Sequence, residues 1–180
     1  MTTPTPPAET ETALARRYRI EVDMGTTGTP SWVLLPGVQE FAPKVEPTTQ
    51  ESTTYDDEGW ADNTTTKLAW SAEIKLAHRC HPDTGEFNAA QVAVKKASER
   101  FGAASVVHVR FYDREGRDDA YEGRALAQWE PDGGSSEDLD TVKVTLTGKG
   151  KLAEIENPVK AGAEGQSLAV APLMKKGVAA

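Results

Sequence analysis

The stretch from Gln50 to Thr66 contains the densest group of side chains that could do chemistry, and it contains no lysine or arginine. Its acidic and aromatic residues are Tyr55, Asp56, Asp57, Glu58, Trp60 and Asp62. Carboxylate oxygens are the ligands that Ca²⁺ prefers, but this spacing does not match an EF-hand loop. Three consecutive acids also do not flank a cleft as the two carboxylates of a glycosidase do. The stretch is therefore interpreted as a cation-binding loop, a solvated acidic loop, or a loop that faces a partner.

A second group of chemically capable side chains lies in the segment HRCHPD. A zinc site could be sketched from His78, Cys80, His81 and Asp83. Alternation along the preceding strand pattern places His78 and Cys80 on the same apolar face as Leu76, where a lone thiol usually behaves as a small hydrophobic group. The pattern predicts a structural role in the core or in a turn, and no metal site.

The segment GKGKLA, from Gly148 to Ala153, fits the dinucleotide-binding pattern G-x-G-x-x-A. A phosphate site of that type needs a helix to begin there with free amide groups, and Pro158 stops any helix soon afterwards. A turn at the end of a strand is the simpler interpretation. The chain also lacks a nucleophile elbow and a convergent catalytic group, so the sequence predicts neither an enzyme nor a cofactor.

Negative charge is concentrated in two segments. The chain has 20 basic and 28 acidic residues, a formal net charge of -8. Residues 45–66 contain six acids, residues 129–141 contain five, and neither segment contains a base, so together they carry -11. The remainder, with 20 bases against 17 acids, is nearly neutral. Repulsion of phosphate by the two acidic segments argues against tight, sequence-reading binding to nucleic acid.

The cysteine and apolar content favours a protein that folds in the cytoplasm. Cys80 is the only cysteine, which excludes an internal disulfide framework. The beginning, MTTPTPPAETET, has neither the basic start nor the apolar run of a secretion signal. No apolar stretch approaches the roughly 20 residues that span a bilayer, so we expect no membrane association.

A period of two dominates the middle of the chain. In KLAWSAEIKLAH the apolar residues from Leu68 to Leu76 share one face and the polar residues share the other, as in a half-buried strand. Five more segments are interpreted as strands: RRYRIEVD, SWVLLPG, VVHVRFY, YEGRALAQW and TVKVTLT. Turn sequences such as DREG and PDGG separate some of them.

One segment, residues 88–101, has the period of a helix. Its apolar stripe consists of Ala90, Ala93, Val94, Ala97 and Phe101. Asn88 is placed to act as N-cap, and Gly102 occupies the C-cap position. Six or more antiparallel strands with one helix predict a mainly β fold, a β-sandwich or barrel with a single flanking α-helix.

The length suits one domain with a tail at each end. Residues 1–15 and 161–180 have the composition of flexible arms, although SLAVAPL in the second could form an edge strand. The domain between them spans residues 16–160. Within it, residues 42–66 show no regular period, which predicts a long loop, and its aromatic rings favour a partner surface.

Several segments, taken in order, resemble a known family. They are WVLLPGV from Trp32, FAPKVEPTTQESTTYDDEGWAD from Phe41, KLAWSAEIK from Lys67, and VTLTGKGKL, which leads to Asn157 and Pro158. In this order they are similar to the major tail tube protein of long-tailed, non-contractile (siphovirus-type) bacteriophages. The resemblance covers residues 16–160 and rests on the order of the whole chain, so it transfers no catalytic residues.

The resemblance implies a structural virion protein. In that family a β-sandwich with a flanking helix forms six-membered rings, and the rings stack into a tail tube that conducts DNA without binding it specifically. The protein would be made in the host bacterial cytoplasm. Its partners would be further copies of itself, the tape-measure protein, the tail terminator and the distal tail proteins. The long loop would reach a neighbouring subunit through Phe41, Tyr55, Asp56, Asp57, Glu58, Trp60 and Asp62.

A negatively charged lumen would keep DNA mobile by repulsion. The lumen candidates, which lie on polar strand faces, are Glu73, Glu122 and Glu130. Two alternatives stay open. The tubes of contractile tails or secretion systems would share the hexamer, and a calcium-stabilised β-sandwich binding or adhesion module would use the acidic loop as a cation site.

Overall fold

The computed structural model describes residues 12–26, 28–58 and 60–161, and of Asp57 the backbone alone. Its strands are β1 (Tyr18–Asp23), β2 (Trp32–Leu34), β3 (Val38–Glu51), β4 (Asn63–Ala77), β5 (Val106–Asp113), β6 (Ala120–Pro131), β7 (Thr141–Gly148) and β8 (Ala153–Glu154), and its helix is α1 (Ala89–Ser98). Predictions for residues 1–11 and 162–180, including most of both arms and the SLAVAPL segment, lie outside the described residues. In the described part of the chain, no helix is long and apolar enough to cross a membrane.

The eight strands form one antiparallel sheet in the order β2-β1-β5-β6-β7-β4-β3, with β8 also paired to β6. The sheet curls over itself, because the Phe41 ring in edge strand β3 contacts Tyr18 of β1 and Phe111 of β5, with ring centroids 5.3 and 5.1 Å apart. The two halves of the sheet therefore face each other across an apolar interior. The prediction of a mainly β fold with one helix is confirmed, in the form of a single open, curled sheet.

Alternate residues of the strands build this interior, as a period of two requires. Buried strand residues include Ile20, Val22, Ala72, Ile74, Leu76, Val107, Val109, Phe111, Ala125, Val142, Val144 and Leu146. The buried Trp70 lies against Gly148 and Gly123, where an added Cβ would come within 2.3 and 2.7 Å of its ring atoms. Its Nε1 donates to the Gly150 carbonyl at 3.2 Å. Gly148 of GKGKLA thus makes room for a tryptophan, and Gly150 supplies the carbonyl that its indole binds.

Helix α1 begins as predicted. The Asn88 Oδ1 atom accepts hydrogen bonds from two amides of the first turn, at 3.0 and 3.4 Å. The fully buried Gln91 side chain then donates to the carbonyls of Pro36 and Ala77, at 2.9 and 3.0 Å. Since Ala77 is the last residue of β4 and Pro36 lies in the connection between β2 and β3, this one side chain fixes the helix to the sheet.

The prediction that the helix runs to residue 101 is wrong. The helix ends at Ser98, and the amide of the C-cap residue Glu99 turns back to the carbonyl of Ala97. The backbone at Phe101 is extended, so its ring leaves the buried stripe and is exposed. Gly102, with φ at +65°, begins a separate 3-10 turn instead of capping the helix.

The prediction of a long loop over residues 42–66 is also wrong, because most of the segment belongs to a β-hairpin. β3 and β4 pair along their whole length and leave residues 52–62 as the connection. Beyond Trp70 neither face of the hairpin is buried, so no apolar alternation marks these strands in the sequence. Pro43 and Pro47 are tolerated because β3 lies at the edge of the described sheet.

A group of satisfied charges, here called the Asp113 cluster, joins the two ends of the domain. The fully buried carboxylate of Asp113 accepts from Arg17 Nη1 at 2.8 Å and from Arg117 Nη1 at 3.2 Å. The buried Asn157 donates to the carbonyls of Asp113 and Arg117, both at 2.8 Å. Burial raises the pKa of Asp113, but the bonds from Arg17, the Glu115 amide and Arg117 outweigh it, so this pKa lies below its usual value.

Candidate assembly surfaces

The outer part of the β3–β4 hairpin projects from the sheet. β4 pairs with β7 only from Ser71 onward, whereas its pairing with β3 continues to Asn63. At about 3.3 Å per residue, the stretch between these two residues is about 26 Å long. Both faces of this stretch are exposed as far as Ala69, and Trp70 at its base is buried. Residues 45–69 are called the arm below, and residues 51–62 its tip.

The tip is ordered by its own hydrogen bonds and presents two aromatic rings to solvent. Asp62 Oδ2 accepts from Ser52 Oγ at 2.8 Å, and the Asp62 amide donates to Thr53 Oγ1 at 3.1 Å. Tyr55 and Trp60 are 107% and 81% exposed. Large exposed rings on a projecting element are typical of a surface that a partner covers.

The residues predicted to form an interface fall into two groups. The structure brings Tyr55, Asp56, Asp57, Glu58, Trp60 and Asp62 together at the tip. Phe41 lies apart from them at the base of the hairpin, half-buried between Tyr18 and Phe111 of the same chain. Its ring stabilises the interior of one chain.

Neither group of possible metal ligands forms a site among the described residues, where no three histidine, cysteine or carboxylate side chains converge. The prediction that His78 and Cys80 share an apolar strand face is wrong, because β4 ends at Ala77. His78 stacks on Phe87 with 3.9 Å between ring centroids, and its Nδ1 lies 2.7 Å from Asp140 Oδ2. Cys80 is exposed. Both residues belong to a connection and not to the core.

The three lumen candidates lie on the polar outer face of the curled sheet. Glu73 Oε2 is 3.0 Å from Lys143 Nζ, and Glu122 Oε1 is 2.8 Å from His108 Nε2. Glu73 and Glu130 belong to the half in which β4, β7 and the end of β6 pair, whereas Glu122 lies where β6 pairs with β5. Because the halves face each other, their outer faces point in opposite directions. Glu73 and Glu130 are therefore on one side of the molecule and Glu122 is on the other.

The charge on the outer face of the strands is balanced outside the arm. Its acids are Glu21, Asp23, Glu40, Glu73, Glu122 and Glu130, and its bases are Arg19, Lys44, Lys75, Arg110, Arg124 and Lys143, six of each. The excess negative charge thus resides in the arm and in the β6–β7 connection. By Coulomb's law, a balanced face neither holds nor strongly repels phosphate.

Both edges of the described sheet are open. β3 pairs only with β4, and β2 pairs only with β1. An unpaired edge exposes a row of amide and carbonyl groups that can pair with a strand of another chain. The arm and the β3 edge are therefore the two surfaces best suited to assembly.

No protein-family model and no curated protein matches the chain, but solved structures match its fold. The SPP1 tail tube has a TM-score of 0.56 at 15% identity, covering 83% of each chain. The chain has a tail-tube fold. The tail of an empty GTA particle, determined with C6 symmetry, gives 0.55 at 14% identity, over 80% of this chain and 99% of the other. The PVC sheath/tube terminator of an extracellular contractile injection system gives 0.55 at 10% identity, over 81% and 98%.

Three features of the structure were not found from the sequence. They are the pairing of the arm, the position of β3 at an edge, and the buried bonds of Gln91. The threonine-rich runs on either side of the acidic tip were the available signal for the arm, because β-branched residues favour extended backbone. Nothing local in the sequence marks Gln91, since its partners are 14 and 55 residues away.

Proposed function

We propose that this chain is the structural subunit of a siphovirus-type phage tail tube, built from stacked hexameric rings around a channel that conducts DNA. The observation that carries the proposal is the match of the described domain to tail-tube subunits over most of both chains. The C6 symmetry of the GTA tail supports six copies in a ring. On this proposal the protein is made in the bacterial cytoplasm, resides in the virion and has no enzymatic role.

The arm and the β3 edge would make the contacts between copies. The rings of Tyr55 and Trp60 are exposed, which is unfavourable in water, and a neighbouring surface that covered them would lower the free energy of the assembly. The open edge of β3 offers backbone groups to a strand of the next subunit, which would continue the sheet around the ring. Copies at the ends of the tube would offer the same surfaces to the tape-measure, tail terminator and distal tail proteins.

The channel would be lined by the half of the sheet that carries Glu73 and Glu130. Charge on this face is balanced by lysines, so the negative charge of the channel would come mainly from the β6–β7 connection. There Asp132 Oδ2 lies 3.3 Å from Lys75 Nζ of the same face. A channel without net positive charge lets DNA pass without holding its phosphates.

Negative-stain electron microscopy of the purified protein over a range of concentrations, with mass measured by light scattering, tests the proposal. We expect six-fold rings or hollow tubes. A protein that stays monomeric at high concentration, and also when mixed with its tape-measure protein, would overturn it. A calcium-dependent rise in Tm without rings would instead support the calcium-stabilised binding module.

A further inference from the structure

A cleft of about 750 Å³ opens between the β1–β2 connection, the start of β5 and the end of β7. Its ionisable lining residues are Asp23, His108, Arg124 and Lys149. An adjoining hollow shares Asp23 and His108 with the cleft and adds Lys96 and Arg100. The cleft and the hollow together are called the basic cleft.

The carboxylates of the basic cleft are already engaged within the chain. Asp23 Oδ1 accepts from the amides of Gly25 and Ser31, both at 2.8 Å, and its Oδ2 lies 3.3 Å from His108 Nδ1. Glu122 lies on the other side of His108, 2.8 Å from Nε2. These bonds leave little capacity in the two acids to neutralise a further cation.

The four bases of the basic cleft have no such partners. Lys96, Arg100, Arg124 and Lys149 form no ion pair with any residue that the structure describes. All four are exposed. Four bases against two acids leave a local surplus of positive charge in a chain whose net charge is -8. Such a surface attracts an acidic partner.

We propose that the basic cleft receives the acidic tip of the arm of a neighbouring copy. The inference rests on the proposed function, which supplies the neighbouring copy. The tip carries five carboxylates and no base. Two of these, Asp56 and Glu58, form no ion pair with a described residue. Tyr55 and Trp60 beside them offer ring faces to the guanidinium of Arg124, an arrangement that favours binding of cations.

The second acidic segment of the chain fits the cleft less well. In the β6–β7 connection, Asp132 is held by Lys75 and Thr141, Asp138 by Ser135, and Asp140 by His78. These three carboxylates already have partners, whereas Glu130 and Glu137 of the same segment form no ion pair with a described residue. The difference from the arm is one of reach, because β6 and β7 stay paired within the sheet up to the connection, which therefore does not project as the arm does. The arm is about 26 Å long and presents its acids at the end, where they can enter a cleft on another molecule.

DNA is also a weaker candidate for the basic cleft. Arg124 and His108 lie on the half of the sheet that faces away from Glu73 and Glu130, and thus away from the proposed channel. Phosphates that approached Arg124 would also meet the carboxylates of Asp23 and Glu122 nearby. A small acidic tip can avoid these carboxylates, whereas an extended duplex cannot.

A charge exchange between the two surfaces tests the proposal. The cleft variant is Arg124→Glu/Lys149→Glu, and the tip variant is Asp56→Lys/Glu58→Lys. The exchanged protein carries all four substitutions and has the net charge of the wild type. Lys95→Glu/Arg114→Glu is the control, since it changes two exposed bases outside the cleft by the same amount of charge. The concentration at which each protein sediments as rings or tubes is the measurement, with circular dichroism as the check on folding.

We expect the cleft and tip variants each to need about tenfold more protein to assemble, and the exchanged protein to recover most of that loss. The control should assemble like the wild type. The proposal is overturned if the cleft variant assembles like the control, or if the exchanged protein is no better than either parent variant. The proposal is also overturned if the wild type, the tip variant and the control retard a DNA duplex in a gel and the cleft variant does not. A wild type that never assembles defeats the proposed function itself, which is a distinguishable result.

Discussion

The arm and the Asp113 cluster use charge in opposite ways. In the Asp113 cluster a fully buried carboxylate accepts hydrogen bonds from two arginines and one backbone amide of its own chain. The side chain of Asn157 donates to two neighbouring backbone carbonyls. In the arm, acids and aromatic rings are exposed to solvent, and nothing in the described chain packs on either face of the hairpin. The first region completes its contacts within one chain. The second has the composition of an interface that lacks its partner.

The Asp113 cluster should therefore contribute to the stability of the single chain, and the arm to the association of copies. Substitutions in the Asp113 cluster should lower the stability of the single chain, whereas substitutions in the arm tip should leave it unchanged and affect only association. The variants below are ordered by their expected effect on the free energy of unfolding.

The largest loss of stability is expected from Asp113→Ala. The change leaves Arg17, Arg117 and the Glu115 amide without the buried carboxylate that they bind, and breaking such a pair typically costs about 3–5 kcal/mol. Denaturant unfolding measures the loss. Asp118→Ala is the control, because among the described residues that exposed acid forms an ion pair with Lys160 alone, and its loss should cost less than about 1 kcal/mol. If the two variants lower the free energy of unfolding equally, the Asp113 cluster does not have a special stabilising role.

A smaller loss is expected from Gly148→Ala, at the point where the arm leaves the sheet. The added methyl group would lie 2.3 Å from Trp70 Nε1, so the tryptophan must move, at a cost of about 1–3 kcal/mol. Denaturant unfolding would measure the loss of stability, and a change in tryptophan fluorescence relative to the wild type would report the movement of Trp70. Thr147→Ala, which changes the adjacent exposed residue, should stay within about 0.5 kcal/mol. Wild-type stability of the Gly148 variant would show that the packing is looser than described.

Acid should lower the stability that the Asp113 cluster provides, and the pH dependence of Tm in Asp113→Asn, compared with the wild type, should show this. The pKa of Asp113 is lower in the folded chain than in the unfolded chain. The ionised carboxylate therefore contributes to the free energy of unfolding at neutral pH, and this contribution is lost as the pH falls through the pKa of the folded state. Tm measured from pH 7 downward should therefore fall steeply below about pH 4, and less steeply in Asp113→Asn. Identical slopes for the two proteins would contradict the assignment.

The smallest effect on stability is expected from Tyr55→Ser/Trp60→Ser. Both rings are exposed, so the change in unfolding free energy should be within about 0.5 kcal/mol. Assembly into rings or tubes should nevertheless be lost. The matched control is Phe101→Ser/Leu139→Ser, which removes two exposed apolar side chains elsewhere and should assemble normally. Normal assembly of the tip variant would remove the arm from the interface.

The sequence predicted the elements whose own burial leaves a periodic pattern. Alternation in β4, β5 and β7 marked the interior, and Asn88 marked the start of the helix, because each signal is local. The arm was missed because both faces of its paired strands are exposed, so no alternation of apolar and polar residues marks them. Cys80 was misplaced because a strand pattern does not show where its strand ends. In the Asp113 cluster, Arg17 and Asp113 are in direct contact although they are 96 positions apart, and no local pattern encodes such contacts.

Hydrogen exchange, compared between the assembled and unassembled protein, tests most directly whether the arm is built for contact between copies. The amides of residues 45–69 should gain strong protection on assembly, while those of the interior strands β5 and β7 change little. Arm amides that exchange as fast in the assembly as in the free chain would contradict the account.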